Sequence, residues 1–183
     1  MIYLLFFVIT LIIITLLDTK GNLFFIQERI GKDAKIFKIY KIRTIPMGTN
    51  CPSIWGKFLR FFKIDELPQI YNIYKGEMTL IGPRPDVPGY ADLLNGGDKI
   101  ILSIKPGITG LASLKYRNEE YILAQHTNPL RYNDEVIWPD KVRINKWYIE
   151  NKSVSLDVLI LFYTFIPLKF DVDTFIYNYK NTN

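Results

Sequence analysis

The first 17 residues of the chain are almost wholly apolar, and only Thr10 and Thr15 interrupt the run. As an α-helix this stretch reaches roughly 25 Å, which is marginal for the roughly 30 Å hydrocarbon core of a bilayer. A soluble helix that is apolar on every side needs a large protein around it, and 183 residues supply one modest core. The stretch also lacks the basic start and cleavage signal of an exported leader. We therefore predict a retained, membrane-associated helix at residues 1–17 and one domain at the membrane surface, residues 18–183.

Basic residues follow the apolar stretch directly. They are Lys20, Arg29, Lys32, Lys35, Lys38, Lys41 and Arg43. Because basic density beside a membrane helix marks the cytoplasmic side, we expect the remaining chain to lie in the cytoplasm. The net charge of +5 favours a partner that carries phosphates, whether nucleotide, nucleic acid or anionic lipid. Charge alone does not distinguish these partners. The single cysteine, Cys51, excludes an internal disulfide.

Residues 63–85 contain the side chains that are best suited to chemistry. Asp65 and Glu66 are adjacent acids at the expected start of a helix, where Asp65 can act as the cap and Pro68 fits the first turn. The helix has an apolar face at helical spacing: Leu67, Ile70, Tyr71 and Tyr74. Gly76 is expected to end it. Acids at a helix start can also serve only to complement the helix dipole, without any chemistry.

The same stretch continues into a predicted strand, residues 78–81, and then into Gly82-Pro83-Arg84-Pro85. The two prolines fix φ on either side of Arg84 and limit how its cation is presented. A second turn, residues 105–110, contains glycines that would let backbone amides approach a ligand closely. Both turns are typical of a site that binds an anion.

Elsewhere the sequence predicts short elements, and the predicted fold class is α+β, mostly helical with a few short strands. Residues 36–45 favour a strand on which Lys41 and Arg43 share a face, either a solvated edge or a binding face. Residues 54–62 are amphipathic, which suits an interfacial helix in a membrane or a core helix. We further expect a turn at 27–31, a strand at 100–104, a loop at 128–134 and a helix at 142–150. The last helix should begin at residue 153, where Ser153 is a capping candidate, and should end before Pro167.

Several motifs occur in one order along the chain. They are Asp65-Glu66-Leu67-Pro68-Gln69, Asn72, Gly76, Glu77-Met78, Gly82-Pro83-Arg84-Pro85 and Pro106-Gly107-Ile108-Thr109-Gly110. This order resembles the bacterial sugar transferase family, the monotopic phosphoglycosyl transferases, from about residue 27 to the last helix. The resemblance implies transfer of a phosphosugar from a nucleotide diphosphate sugar, usually of uridine, to a membrane polyprenyl phosphate.

The resemblance also implies a location in the cell and a set of binding partners. Family members carry out the initiating step of bacterial glycoconjugate synthesis, so we expect the inner membrane, with the catalytic domain on its cytoplasmic face. The expected partners are a nucleotide-activated sugar, polyprenyl phosphate and the membrane, without nucleic acid. The identity of the sugar and the oligomeric state stay open.

The roles that the resemblance implies for single residues fit elementary chemistry. Asp65 is the expected nucleophile, because a carboxylate can split the transfer into two steps through an acyl phosphate. Glu66 is the expected ligand of a Mg²⁺ cofactor, since carboxylates hold Mg²⁺ beside phosphates. Basic side chains and rigid turns would grip the diphosphate and the sugar. The expected substrate-binding residues are Lys41, Arg43, Pro83, Arg84, Thr109 and Arg117.

The chain departs from the family pattern in two places. Family members usually break the first apolar helix with a Ser-Pro pair, whereas this chain has Phe6-Phe7 at the expected position and no proline before Pro46. Either the start is truncated or the helix is anchored differently, and whether it re-enters or spans the membrane stays open. Later, Ser113 and Tyr116 stand where the family usually has glutamine and glycine.

Two other classes of protein stay open. A hydrolase would use Asp65 and Glu66 as acid and base, although adjacent residues seldom face one scissile bond. A non-enzymatic or degenerate membrane-surface binding protein would explain the basic and aromatic bias without using the acids. Release of a nucleoside monophosphate from a nucleotide diphosphate sugar distinguishes the transferase from both.

Overall fold

The computed structural model describes residues 2–166 and 168–182, and the chain divides into two compact units. The first unit contains the chain up to Arg29 and Phe37–Gly76, and the second contains Ile30–Ile36 and the chain from Glu77 onward. Helices and short strands occur together, which confirms the mixed α and β content. Among the helices of the described residues, none is both long enough and apolar enough to cross a membrane.

The first unit consists of helices and most of a β-hairpin. Helix α1 is Ile2–Asp18, strand β1 is Phe24–Ile30, strand β2 is Ile36–Ile42, helix α2 is Ile54–Phe61 and helix α3 is Ile70–Tyr74. A 3-10 helix, Ile64–Gln69, precedes α3 and is called the acid helix below. The turn expected at residues 27–31 is wrong: residues 27–30 belong to β1, and the reversal falls at Lys32–Ala34, after Gly31.

Polar side chains join the end of α1 to the start of α2. Ser53 caps α2 by accepting a hydrogen bond from the Gly56 N–H (2.8 Å), and its hydroxyl donates to Asp18 Oδ2 (2.6 Å). Trp55 Nε1 donates to Thr15 Oγ1 (3.0 Å), where the threonine is fully buried. Hydrogen bonds therefore fix the C-terminal half of the apolar helix to this unit.

The second unit begins with two short strands that pair in parallel. Strand β3, Thr79–Ile81, pairs with β4, Gly107–Thr109. The segment between them contains 3-10 helices at Ala91–Leu93 and Gly96–Leu102. The strand expected at residues 100–104 is therefore wrong, because a short apolar run cannot distinguish a strand from a helical turn.

Helices complete the second unit. They are α4 (Leu111–Lys115), α5 (Glu119–Ala124), α6 (Pro129–Tyr132), α7 (Trp138–Glu150), α8 (Val154–Phe165) and α9 (Val172–Thr182), with a π-helix, Asn133–Ile137, before α7. The loop expected at 128–134 is wrong, because Asn128 caps α6 by accepting from the Arg131 N–H (3.1 Å). Ser153 caps α8 as the sequence indicates. The break expected at Pro167 lies outside the described residues.

One apolar core holds α4, α7, α8 and α9 together. Its most buried members are Leu111, Ile144, Tyr148, Ile160 and Val172. The Tyr148 hydroxyl donates to Asp157 Oδ1 (2.6 Å), which satisfies the one polar atom of that side chain inside the core. This core supports the strand pair, since Ile81 at the end of β3 packs against it.

Glycines allow the two strand ends to touch backbone to backbone. A Cβ on Gly110 would lie 2.1 Å from the Gly82 carbonyl oxygen, and one on Gly107 would lie 2.2 Å from the Gly82 nitrogen. Neither contact can be relieved by a side-chain rotation, because the opposing atoms belong to the backbone. Glycine is therefore required at Gly107 and Gly110 for the packing of the strand pair.

We expect Gly110→Ala to destabilise the protein by about 1–3 kcal/mol, because the added methyl overpacks a rigid contact. Gly97→Ala is the matched control: its new Cβ would meet only the flexible Lys146 Nζ at 3.2 Å, and the change should stay within about 0.5 kcal/mol. Urea unfolding in detergent measures both. Equal stabilities for the two variants would show that the strand ends can move apart.

Candidate functional site

The acid helix buries its polar residues and exposes an apolar one. Asp65, Glu66 and Gln69 are its buried residues, with Asp65 only 7% exposed, whereas Leu67 is 55% exposed. An ordinary surface helix does the reverse and turns its apolar side chains inward. Burial of polar groups costs free energy unless they have partners. The arrangement therefore indicates a binding or reaction site.

The helix start differs from the sequence prediction. Lys63, with a left-handed backbone (φ 57°), occupies the cap position, and its side chain makes no capping hydrogen bond within the described structure. Asp65 lies inside the first turn, so the predicted capping role is wrong. The apolar residues expected on one helix face are all more than half exposed: Leu67, Ile70, Tyr71 and Tyr74. Gly76 follows α3 with φ 74°, as expected for a helix stop.

Glu66 forms an ion pair with one of the predicted phosphate-binding cations. Lys41 Nζ lies 3.4 Å from Glu66 Oε1, and the two side chains are only 17% and 8% exposed. Lys41 comes from β2, so the pair links the hairpin to the acid helix. The structure thus brings Lys41, Asp65 and Glu66 together within the first unit.

The carboxyl group of Asp65 is poorly solvated. Within the described residues, nothing donates a hydrogen bond to its buried Oδ1. Burial raises the pKa of this carboxyl above its ordinary value, and neighbouring Glu66 raises it further, while the cations of Lys41, Lys63 and Arg60 partly oppose the rise. A carboxylate oxygen that accepts no hydrogen bond keeps its electron pairs available, which is what a nucleophile needs.

Asn72 fixes the strand that carries Lys41. Its Nδ2 donates to the Lys38 carbonyl (2.7 Å) and its Oδ1 accepts from the Tyr40 N–H (3.4 Å), while the side chain is fully buried. These two bonds hold β2 beside α3. Sequence reasoning named Asn72 only as part of a motif, since hydrogen bonds across more than thirty residues leave no local pattern.

Arg43, the second predicted cation of β2, has different neighbours. It follows the last residue of the strand, its N–H donates to the Leu23 carbonyl (2.8 Å), and its guanidinium lies 5.8 Å from the ring centre of Phe25. In the part of the chain that the structure describes, Arg43 makes no ion pair. Its substrate-binding role stays a prediction.

In the second unit, the strand pair brings Pro83, Arg84 and Thr109 together. The Pro83 carbonyl accepts from the Gly107 N–H (2.9 Å), the Thr109 carbonyl accepts from the Gly82 N–H (2.9 Å), and Arg84 Nη1 donates to the Ile108 carbonyl (3.0 Å). The amides of Gly82 and Gly107 are therefore used inside the fold. The expectation that the glycine amides of the turn at residues 105–110 approach a ligand is therefore wrong for Gly107.

Arg117 is bound to the end of α8. Its Nη2 donates to the carbonyls of Tyr163 and Thr164, and the Thr164 hydroxyl is 2.8 Å from the Thr109 hydroxyl. Cations commonly interact with the last carbonyls of a helix in this way. A structural function for Arg117 is thus visible, and its predicted contact with substrate stays a prediction.

Metal binding would depend on the acid helix. Among residues 2–166 and 168–182, no three His, Cys, Asp or Glu side chains lie together in a way that could hold a metal ion. The adjacent carboxylates of Asp65 and Glu66 do fit Mg²⁺, which is usually bound by one or two carboxylates together with substrate phosphates and water. The oxygen of Asp65 without a donor is consistent with that fit.

Comparison with known proteins identifies the family of this chain. Residues 1–170 match the family described as bacterial sugar transferase, and the chain belongs to this family of transferases. The uncharacterized sugar transferase EpsL of Bacillus subtilis is 33% identical over 155 residues, which cover 79% of this chain and 69% of the relative.

Two further relatives have names that state an activity. The UDP-glucose:undecaprenyl-phosphate glucose-1-phosphate transferase of Klebsiella pneumoniae is 33% identical over 175 residues, 85% of this chain and 35% of the relative. The UDP-N-acetylgalactosamine-undecaprenyl-phosphate N-acetylgalactosaminephosphotransferase of Aeromonas hydrophila is 32% identical over 163 residues, 81% of this chain and 36% of the relative. The chain spans about a third of these two proteins.

Replacing Asp65 with asparagine should raise thermal stability at neutral pH in buffer without divalent cations. Because the pKa of Asp65 is raised in the folded state, wild-type stability falls as the pH rises through that pKa. Asp65→Asn removes this loss. The difference should vanish at acid pH, where the carboxyl is protonated in both folded and unfolded chains. Thermal unfolding between about pH 3 and about pH 8 measures it.

The control is Asp171→Asn, at an exposed carboxyl whose pKa is lowered, chiefly by the hydrogen bond from the Thr174 side chain. For Asp171 the expected change in stability has the opposite sign. The substitution should lower stability at neutral pH, and the difference between variant and wild type should vanish at acid pH. A loss of stability in Asp65→Asn at neutral pH would contradict the argument that Asp65 is held at a cost.

Proposed function

We propose that this chain transfers a phosphosugar from a nucleotide diphosphate sugar, with UDP as the nucleotide, to a membrane polyprenyl phosphate. This reaction would initiate the synthesis of a bacterial glycoconjugate. Membership of the bacterial sugar transferase family supports the reaction class. The observation that carries the proposed covalent route is the buried Asp65 carboxylate, whose Oδ1 has no donor among the described residues.

The proposed reaction has two displacements at phosphorus. First, Asp65 Oδ1 forms a bond to the sugar-bearing phosphorus while the bond to the bridging oxygen of the diphosphate breaks. The nucleoside monophosphate leaves with that electron pair. In the second displacement, a phosphate oxygen of the lipid bonds to phosphorus and the bond to Asp65 breaks, which regenerates the carboxylate. Neither displacement needs a proton, and splitting the transfer lets a soluble donor and a lipid acceptor react in turn.

Glu66 is the proposed ligand of Mg²⁺, with Asp65 beside it. When bound, the ion would neutralise charge on the diphosphate. Glu66 is nearly buried, and its Oε1 lies 3.4 Å from Lys41 Nζ, so a bound ion would share this carboxylate with the lysine. The chain's own contribution is to orient the Glu66 carboxylate through that pair.

The remaining predicted residues are proposed to bind the donor. Arg84 has a fixed guanidinium, since one of its five N–H groups donates to the Ile108 carbonyl. A guanidinium held in this way can present a planar edge to phosphate. The other proposed contacts are Lys41, Arg43, Pro83, Thr109 and Arg117.

The membrane is the proposed setting, at the cytoplasmic face of a bacterial inner membrane. Helix α2 exposes large apolar side chains, with Ile54 and Phe61 the most exposed, and the exposed cation Lys57 lies among them. Aromatic and aliphatic groups combined with lysine are typical of helices that lie in the head-group region. A polyprenyl acceptor would reach the protein from that region.

The proposal predicts that the adjacent acids fail in different ways. Wild type incubated with UDP-N-acetylgalactosamine or UDP-glucose and Mg²⁺, without lipid acceptor, should gain one phosphosugar on the peptide that contains Asp65. Asp65→Asn should show no adduct and no turnover, because the amide lacks the attacking oxygen anion. Glu66→Gln should slow labelling and require more Mg²⁺, since an amide is a poorer ligand for this ion. Intact-protein and peptide mass spectrometry measure the adduct.

Robust turnover in Asp65→Asn would refute the covalent route. An adduct on Glu66 would mean that Glu66 is the nucleophile and Asp65 the metal ligand. If neither donor yields nucleoside monophosphate in wild type, a membrane-surface binding protein becomes the better explanation. Asp92→Asn, at an exposed acid whose Oδ1 accepts from the Gly89 N–H, serves as the control and should be labelled at the wild-type rate.

Substitutions of Arg84 should show whether this residue binds phosphate or has only a structural role. Arg84→Ala should raise the KM for the donor and lower kcat/KM by about 10²-fold, the scale of a lost charge-assisted hydrogen bond to substrate. Arg84→Lys should recover part of this loss, because lysine keeps the charge but not the planar fork. Wild-type turnover in both variants, with lower melting temperatures, would assign Arg84 to the strand pair alone.

A further inference from the structure

Gln69 at the end of the acid helix contains a buried hydrogen-bond donor for which the described part of the chain offers no acceptor. The side chain is 2% exposed, and its Nε2 has no hydrogen-bond partner among the described residues. Buried polar groups are almost always paired in native proteins, and each exception calls for an explanation such as a water, an ion or a ligand. The amide of Gln69 is such an exception.

The helix type places this amide beside the reacting acids. A 3-10 helix has three residues per turn, so residues three apart lie one above the other. Gln69 therefore stacks one turn above Glu66, on the buried side of the acid helix. Asp65 immediately precedes Glu66, and its buried Oδ1 has no donor among the residues that the structure describes. One short helix thus holds an unused donor and an unused acceptor, both shielded from solvent.

We propose that Gln69 binds the phosphoryl group that reacts at Asp65, with Nε2 donating a hydrogen bond to a non-bridging phosphoryl oxygen. This inference rests on the proposed function and adds a substrate-contacting residue to it. A phosphoryl group satisfies both unused groups at once, because its phosphorus bonds to Asp65 Oδ1 and its oxygens accept from the amide. No proton moves from Gln69 in this step.

The chemistry of an amide suits this position. A lysine or arginine at residue 69 would pair with Asp65 or Glu66 and withdraw the electron pair that the proposed nucleophile needs. A neutral amide stabilises the negative charge that develops on the phosphoryl oxygens without neutralising the acids. A trapped water could also satisfy the two groups, and this alternative predicts a different outcome in the experiment below.

The test compares Gln69→Met, which keeps the length of the side chain and removes the donor, with wild type. Full-length protein in detergent is mixed with Mg²⁺ and excess UDP-N-acetylgalactosamine or UDP-glucose, whichever labels wild type faster. The rate of UMP release in a single turnover is then followed together with the melting temperature. Gln69→Leu is the second apolar variant. Gln125→Leu is the control, because Gln125 is exposed at the end of α5.

We expect both Gln69 variants to release UMP about 10²- to 10³-fold more slowly than wild type, the scale for one lost donor to a developing oxyanion. Their melting temperatures should equal or exceed that of wild type, because the buried unsatisfied amide is gone. Gln125→Leu should match wild type in both measurements.

Two results would overturn the role of Gln69 while leaving the proposed function intact. Release at the wild-type rate with unchanged or higher stability would mean that the amide binds only water. A fall in rate that follows a fall in melting temperature in both variants would mean that the amide is structural. If wild type itself releases no UMP, the proposed function fails and this inference falls with it.

Discussion

The carboxylates of Asp65 and Glu66 are buried on one short helix, and burying charge costs free energy that the surrounding residues have to offset. Lys41 offsets it for Glu66 through a shielded ion pair. For Asp65 the compensation is incomplete, because its pKa is raised by burial and its Oδ1 accepts no hydrogen bond from any described residue. The burial that lowers stability at Asp65 is also what the proposed nucleophile would use, and such opposition of stability and function is common at functional sites. The two hydrogen bonds of Asn72 to β2 keep Lys41 in place.

A different constraint governs the second unit, where backbone atoms of two strands approach closely. Glycine is required at Gly107 and Gly110 because any Cβ would meet backbone atoms of Gly82. The contact positions the Arg84 guanidinium through its bond to the Ile108 carbonyl. The rigid turns thus orient a cation and do not offer the amides of Gly82 and Gly107 to a ligand.

The sequence was informative wherever an inference depended on neighbouring residues. The α1, α2 and α8 helices, the Ser153 cap, the helix stop at Gly76 and the family itself all follow from local patterns. The sequence was uninformative wherever residues far apart in the sequence come into contact. Examples are the hydrogen bonds of Asn72 and the contact of Gly110 with Gly82. The sequence also did not indicate that the acid helix buries its polar residues. The spacing of its apolar residues predicts that the apolar face is buried.

The covalent role of Asp65 is the central claim, and isotope exchange tests it most directly. If the transfer has two displacements, the first is reversible without any lipid acceptor, so labelled UMP should be incorporated into the UDP-sugar pool in the presence of Mg²⁺. The account predicts this exchange for wild type and none for Asp65→Asn. Lipid-dependent turnover by wild type without any exchange in the absence of lipid would contradict it, because a single direct displacement requires both substrates at once.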